Sequence, residues 1–111
     1  MPKRTHAYPK SVNRAADLLG SQIKQARLER RWPVRELAER AGISTNTLRK
    51  VEQGDPTVML GTALDVASLV GVPIFYEDPS RLAQEAHRSR ERAVLLPQSI
   101  RSRDRDLDND F

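Results

Sequence analysis

Through residues 19–76, apolar side chains recur at steps of three and four, the period of helices packed on one side. Leu19, Ile23 and Ala26 begin the pattern with charged residues between them, predicting a helix from near Val12 or Ala15 to near Trp32. Pro33 cannot continue a helix interior and suits the first turn of the next helix. Val34 to Ala41 reads as a short second helix with Leu37, Ala38 and Ala41 on one side. Gly42 breaks it, because glycine takes a positive φ at little cost. Ile43 follows, then Ser44 as the N-cap of a third helix reaching about Gln53. Gly54-Asp55-Pro56 stops that helix. Thr62 to Val70 is a fourth, with Leu60, Ala63, Leu64, Ala67 and Val70 marking the face expected to be buried and Gly71 ending it. Val72 to Tyr76 is expected to pack back on the core. Asp78 and Pro79 then open a fifth, more polar helix to about Ala93. No apolar alternation is long enough for a sheet. The expected fold is an all-α bundle of five helices burying Leu37, Ala38, Ala41, Ile43, Leu48, Val51, Leu64 and Ala67.

The division along the chain follows from this pattern. Residues 1–11 read as a flexible basic arm and residues 12–76 as a folded helical domain. Residues 77–96 hold a C-terminal helix suited to a dimer or partner contact. Residues 97–111 alternate Arg and Asp with little apolar content, and such a tail cannot bury enough surface to fold alone.

Charge sharpens the picture more than composition does. Residues 1–54 carry twelve Lys/Arg against five Asp/Glu, a net of +7, whereas residues 55–111 are −3. A basic half favours a polyanionic partner. With no cysteine there is no disulfide or thiolate metal site. His6 and His87 stand apart, and Asp104, Asp106 and Asp108 lack the glycine and distal glutamate of a calcium loop, so neither a metal nor a cofactor is expected. No Ser/His/Asp set, glycine-rich phosphate loop or carboxylate pair appears, so an enzyme is not expected. No apolar run is long enough to span or signal a membrane, and a cytoplasmic location is expected.

The second and third helices carry the candidate chemistry. Two short helices joined by a tight glycine turn make a helix-turn-helix. Ala38 is small enough to let the third helix cross closely, while Ile43, Leu48 and Val51 point inward. Thr45, Asn46, Thr47, Arg49 and Lys50 are left outward, a short polar and basic face of the kind that enters a major groove. Asn46 has the donor and acceptor for adenine, and Lys50 donates to guanine. Thr45 and Thr47 suit hydrogen bonds or a thymine methyl, and Ser44 leaves the helix N-terminus to a phosphate. The plainer reading is a helical hairpin whose exposed face is merely polar.

Residues 18–76 resemble the Cro/repressor-type, or xenobiotic-response-element, helix-turn-helix family through Leu19-Gly20-Ser21-Gln22-Ile23, Arg35-Glu36-Leu37-Ala38, Ala41-Gly42-Ile43-Ser44 and Val51-Glu52-Gln53-Gly54. That resemblance implies a lambda-repressor-like fold, a palindromic double-stranded DNA operator bound by a homodimer, and an ion pair between Arg27 and Glu52. The family usually places Ser or Asn and then a phosphate-binding Gln where this chain has Pro33 and Val34, so the contact falls to Arg35 or the basic arm. Gly54-Asp55-Pro56-Thr57-Val58, Leu60-Gly61-Thr62, Leu69-Val70-Gly71-Val72-Pro73-Ile74-Phe75 and Asp108-Asn109-Asp110-Phe111 are further similar to HipB-type antitoxins. This narrower resemblance implies a HipA-like Ser/Thr kinase toxin as partner and repression of the chain's own operon. Ile74, Phe75, Tyr76 and Leu82 are candidate dimer contacts, and Asp108, Asp110 and Phe111 candidate toxin contacts. A stand-alone regulator and a protein–protein adaptor that keeps the fold stay open as alternatives.

Overall fold

The structure, a computed structural model, describes residues 7–97. Among these there are five helices: α1 Lys10–Glu29, α2 Val34–Ala41, α3 Thr45–Glu52, α4 Leu60–Leu69 and α5 Pro79–Leu95. The all-α, lambda-repressor-like fold expected from the sequence is the one observed. The described residues divide into two compact units, one ending at residue 74 and the other beginning at residue 75.

In the first unit, α1 begins at Lys10, so Lys10 and Ser11 are helical rather than part of an arm. Pro9 explains the early start: its carbonyl accepts the N–H groups of Val12 and Asn13 at 3.0 and 3.2 Å. The first turns of α1 face solvent, so no apolar stripe announced them. At its other end α1 stops at Glu29, short of Trp32. Pro33 is the N-cap of α2, one position earlier than expected.

The ends of α1, α2, α3 and α4 share one device. A residue in the left-handed region follows each helix, and the next N–H reaches back five residues. Trp32 donates to the Arg27 carbonyl, Ile43 to Ala38, Asp55 to Lys50 and Val72 to Ala67, at 2.9–3.2 Å. The left-handed residues are Arg31, Gly42, Gly54 and Gly71. The turn after α3 is fixed further by Asp55, whose carboxylate accepts the Thr57 hydroxyl at 2.6 Å and N–H at 2.8 Å. Those two bonds, hydroxyl first, hold the Asp55 carboxyl below its ordinary pKa.

The core joins Ile23 of α1, Leu37 and Ala38 of α2, Leu48 and Val51 of α3, and Val66, Ala67 and Val70 from the α4 region, with Val72 following. Ala41 and Ile43, expected to be buried, are half-buried against this cluster. The expected face of α4 needs correction. Leu60 is 75% exposed and Leu64 only half-buried, whereas Val66 is fully buried beside Ala63 and Ala67. The segment is apolar almost all round, so periodicity alone does not select its inner side.

Gly20 sets the crossing of α1 over α3. A Cβ there would fall on the Val51 carbonyl oxygen and lie 2.7 Å from that of Glu52, so only glycine allows the backbones to approach this closely.

In the second unit, Asp78 caps α5 by accepting the Ser80 N–H at 2.9 Å. The helix runs two residues beyond the expected Ala93, to Leu95, and none of its residues is buried. Before it, Phe75 adopts φ 67° with an exposed side chain, and the Arg81 guanidinium lies 4.6 Å from the centre of the Tyr76 ring.

Candidate nucleic-acid interface

The eight residues of α3 divide by the helical period into two faces. Leu48 and Val51 enter the core and Glu52 turns toward α1. Thr45, Asn46, Arg49 and Lys50 are exposed, and Thr47 is half-buried. Ser44 caps the helix: its hydroxyl accepts the Thr47 N–H at 3.0 Å and donates to the Thr47 hydroxyl at 2.9 Å. Both hydroxyls therefore hold the helix start in shape. The N–H groups of Thr45 and Asn46 lie in the first turn, where a helix offers them no internal acceptor and where its dipole is positive.

The inner side of α3 is fixed to α1 by a bidentate ion pair. Arg27 Nε donates to Glu52 Oε2 at 2.7 Å and Nη2 to Oε1 at 3.0 Å, both side chains being 7% exposed. Arg27 Nη1 also donates to the Trp32 carbonyl at 2.9 Å. One guanidinium thus ties together the end of α3, the first helix and the turn into α2. Such a pair must offset a desolvation cost on both charges, so its main effect is to fix geometry.

Beside this pair is a groove of about 240 Å³ lined by Lys24, Arg27, Val34, Arg49, Glu52 and Gln53. With Arg27 and Glu52 paired, Lys24 and Arg49 supply its positive charge. Sequence reasoning missed Lys24, although a signal exists: it lies three residues before Arg27, one turn earlier on the same side of α1. Arg35 is exposed in the first turn of α2, whose N-cap Pro33 makes no side-chain hydrogen bond. Trp32 is half-buried, with the Arg40 guanidinium 4.2 Å and that of Arg30 5.8 Å from its ring centre. It packs against the core at the α1–α2 turn.

Of the candidate dimer contacts, Ile74, Tyr76 and Leu82 are half-buried and Phe75 is 87% exposed. Asp108, Asp110 and Phe111, the candidate toxin contacts, lie outside the described residues, as do residues 1–6 of the basic arm. Among the described residues no group of His, Asp or Glu is placed to hold a metal, and no helix is long and apolar enough to cross a membrane.

Residues 23–76 match the helix-turn-helix family model HTH_3. The match spans the end of the first helix through the segment after the fourth, and so includes the whole α2–α3 unit. Comparison with curated proteins and with solved structures gives no match.

Proposed function

Because residues 23–76 match the helix-turn-helix family model, we propose that the protein is a transcriptional repressor of the Cro/repressor type, reading a palindromic DNA operator as a homodimer. The observation that carries this reading is the division of α3. Its inner side is held by the core and the Arg27–Glu52 pair, while Thr45, Asn46, Arg49 and Lys50 are free to meet a groove. Asn46 and Lys50 read adenine and guanine edges, and Thr45 and Thr47 add hydrogen bonds or methyl contact. Arg35 and Arg49 meet phosphates, and the Ser44-capped helix start receives another. Ile74, Phe75, Tyr76 and Leu82 supply the dimer contact, and half-sites lie roughly 34 Å apart.

Fluorescence anisotropy on the DNA upstream of the chain's own reading frame, against a scrambled duplex, tests the assignment. Asn46→Ala and Lys50→Ala are expected to cost about 1–3 kcal/mol per half-site, on the specific site only. Arg35→Ala should weaken both duplexes alike. Equal losses on both duplexes for all three variants would remove base reading from α3.

The finer reading is an antitoxin that restrains a HipA-like Ser/Thr kinase toxin and represses its own operon. The resemblance of residues 54–58, 60–62, 69–75 and 108–111 to HipB-type chains supports it. Asp108, Asp110 and Phe111 then form an acidic anchor with one aromatic, ordered on the toxin at an entropic cost. In calorimetry, deletion of residues 97–111 should weaken toxin binding and leave operator affinity unchanged. Equal toxin affinity in the two proteins would take the tail out of the mechanism.

A further inference from the structure

The groove beside the Arg27–Glu52 pair lies at the C-terminal end of α3, away from Ser44. Its lining comes from three helices: Lys24 from α1, Val34 from α2 and Arg49 from α3, with Gln53 the C-cap of α3. Arg27 and Glu52 form part of its wall, and their two parallel bonds make them neutral as a unit. Lys24 and Arg49 therefore give the groove two uncompensated positive charges. Both are exposed, and among the described residues neither is paired with a carboxylate. Gln53 adds an exposed amide with two donor hydrogens.

These groups select the ligand. Two cations from different helices and an amide answer a negative group with several acceptor oxygens. None of the lining residues is aromatic, so the groove offers no platform for stacking a base. Its one carboxylate is already bound by Arg27, which leaves nothing to hold a cation. The carbonyl end of α3 carries partial negative charge, so an anion stays there only if full positive charges outweigh the dipole. A volume of about 240 Å³ accepts a phosphate group together with bridging waters. Position agrees with chemistry. A recognition helix meets base edges with its N-terminal residues, so its far end lies toward the rim of the groove, where backbone phosphates run.

We infer that Lys24, Arg49 and Gln53 together seat one phosphate of the operator backbone, which makes Lys24 of the first helix a DNA contact in its own right. This inference rests on the DNA reading and adds a residue and a site to its interface. A phosphate gripped from both α1 and α3 fastens the C-terminal end of the recognition helix to the strand, while the Ser44-capped start is fastened at the other end. With both ends held, α3 does not pivot in the groove. Lys24 meets no base, so it adds affinity and register without sequence information.

Uncharged phosphates test the seat. In the duplex from upstream of the reading frame, single phosphates are replaced one at a time by methylphosphonates, and the full chain is titrated by fluorescence anisotropy. Lys24→Ala should weaken binding about tenfold per half-site, on the unmodified duplex and on a scrambled one alike. It should also flatten the salt dependence by about two units, one for each copy, whereas Lys24→Arg should keep both affinity and slope. The pairing of residue with phosphate shows in the combination. At one position of a half-site the methylphosphonate should cost the wild-type chain about tenfold and the Lys24→Ala chain little more, while Arg35→Ala keeps the full loss there. Circular dichroism checks that each variant is folded. A Lys24→Ala chain that binds and responds to salt as the wild type does, or whose loss adds to that of every methylphosphonate, overturns the seat and leaves base reading by α3 intact. A wild-type chain that binds neither duplex overturns the DNA reading and the seat with it.

Discussion

At the scale of single residues, Arg31 is the exception among four helix ends that otherwise use glycine. It holds φ 59° where Gly42, Gly54 and Gly71 hold 68°, 78° and 81°. A side chain in that region crowds its own carbonyl, at a cost of about 1–2 kcal/mol. Its side chain is exposed. Arg31→Gly should therefore raise stability by about 1 kcal/mol in urea denaturation, and Gly42→Ala should lower it by a similar amount. An unchanged or lower midpoint for Arg31→Gly would mean that the guanidinium compensates the backbone. Gly42 was legible in the sequence because glycine after an apolar stripe marks a helix end. Arg31 was not, since nothing about arginine announces a left-handed turn. Gly20 was legible only as part of a family motif, because the neighbour that forbids a Cβ there is a carbonyl far along the chain, at Val51.

At the scale of elements, the orientation of α3 depends on a charge pair excluded from water. Removing one partner leaves the other buried and unpaired, which costs about 3–5 kcal/mol, whereas replacing both with apolar groups of similar volume is often near neutral. Glu52→Ala should therefore destabilise strongly in denaturant titrations, and Arg27→Met combined with Glu52→Leu should recover most of the loss. A double variant as unstable as the single one would show that the Arg27 bond to the Trp32 carbonyl carries the effect. The limits of α2 were readable to the residue because Pro33 and Gly42 bracket it. The inner face of α4 was not: its apolar residues surround the helix, and only the packed neighbours choose Val66 over Leu60. The outward set of α3 emerged from the sequence because two fixed inward positions, Leu48 and Val51, determine the remaining register.

For the whole molecule, the uneven charge is the property with the widest reach. Residues 1–54, the part of the sequence that holds the proposed DNA face, carry a net of +7. Phosphate contacts release counterions, so six or more of them make affinity fall about a thousandfold or more between roughly 50 and 200 mM salt. The affinity for operator, measured over that range, should show such a slope, and Arg35→Ala, which removes one phosphate contact from each copy of the dimer, should flatten it by about two units. A salt-independent affinity would speak for an adaptor rather than a DNA reader. The same molecule separates what holds it together from what faces outward. None of the side chains of Thr45, Asn46, Arg49 and Lys50 is part of the buried core, while Leu48, Val51 and Glu52 carry the internal contacts of α3. Mutational drift on that outer row is thus nearly invisible to folding. A lineage built on this scaffold can exchange one target for another by small steps, each passing through a chain that still folds.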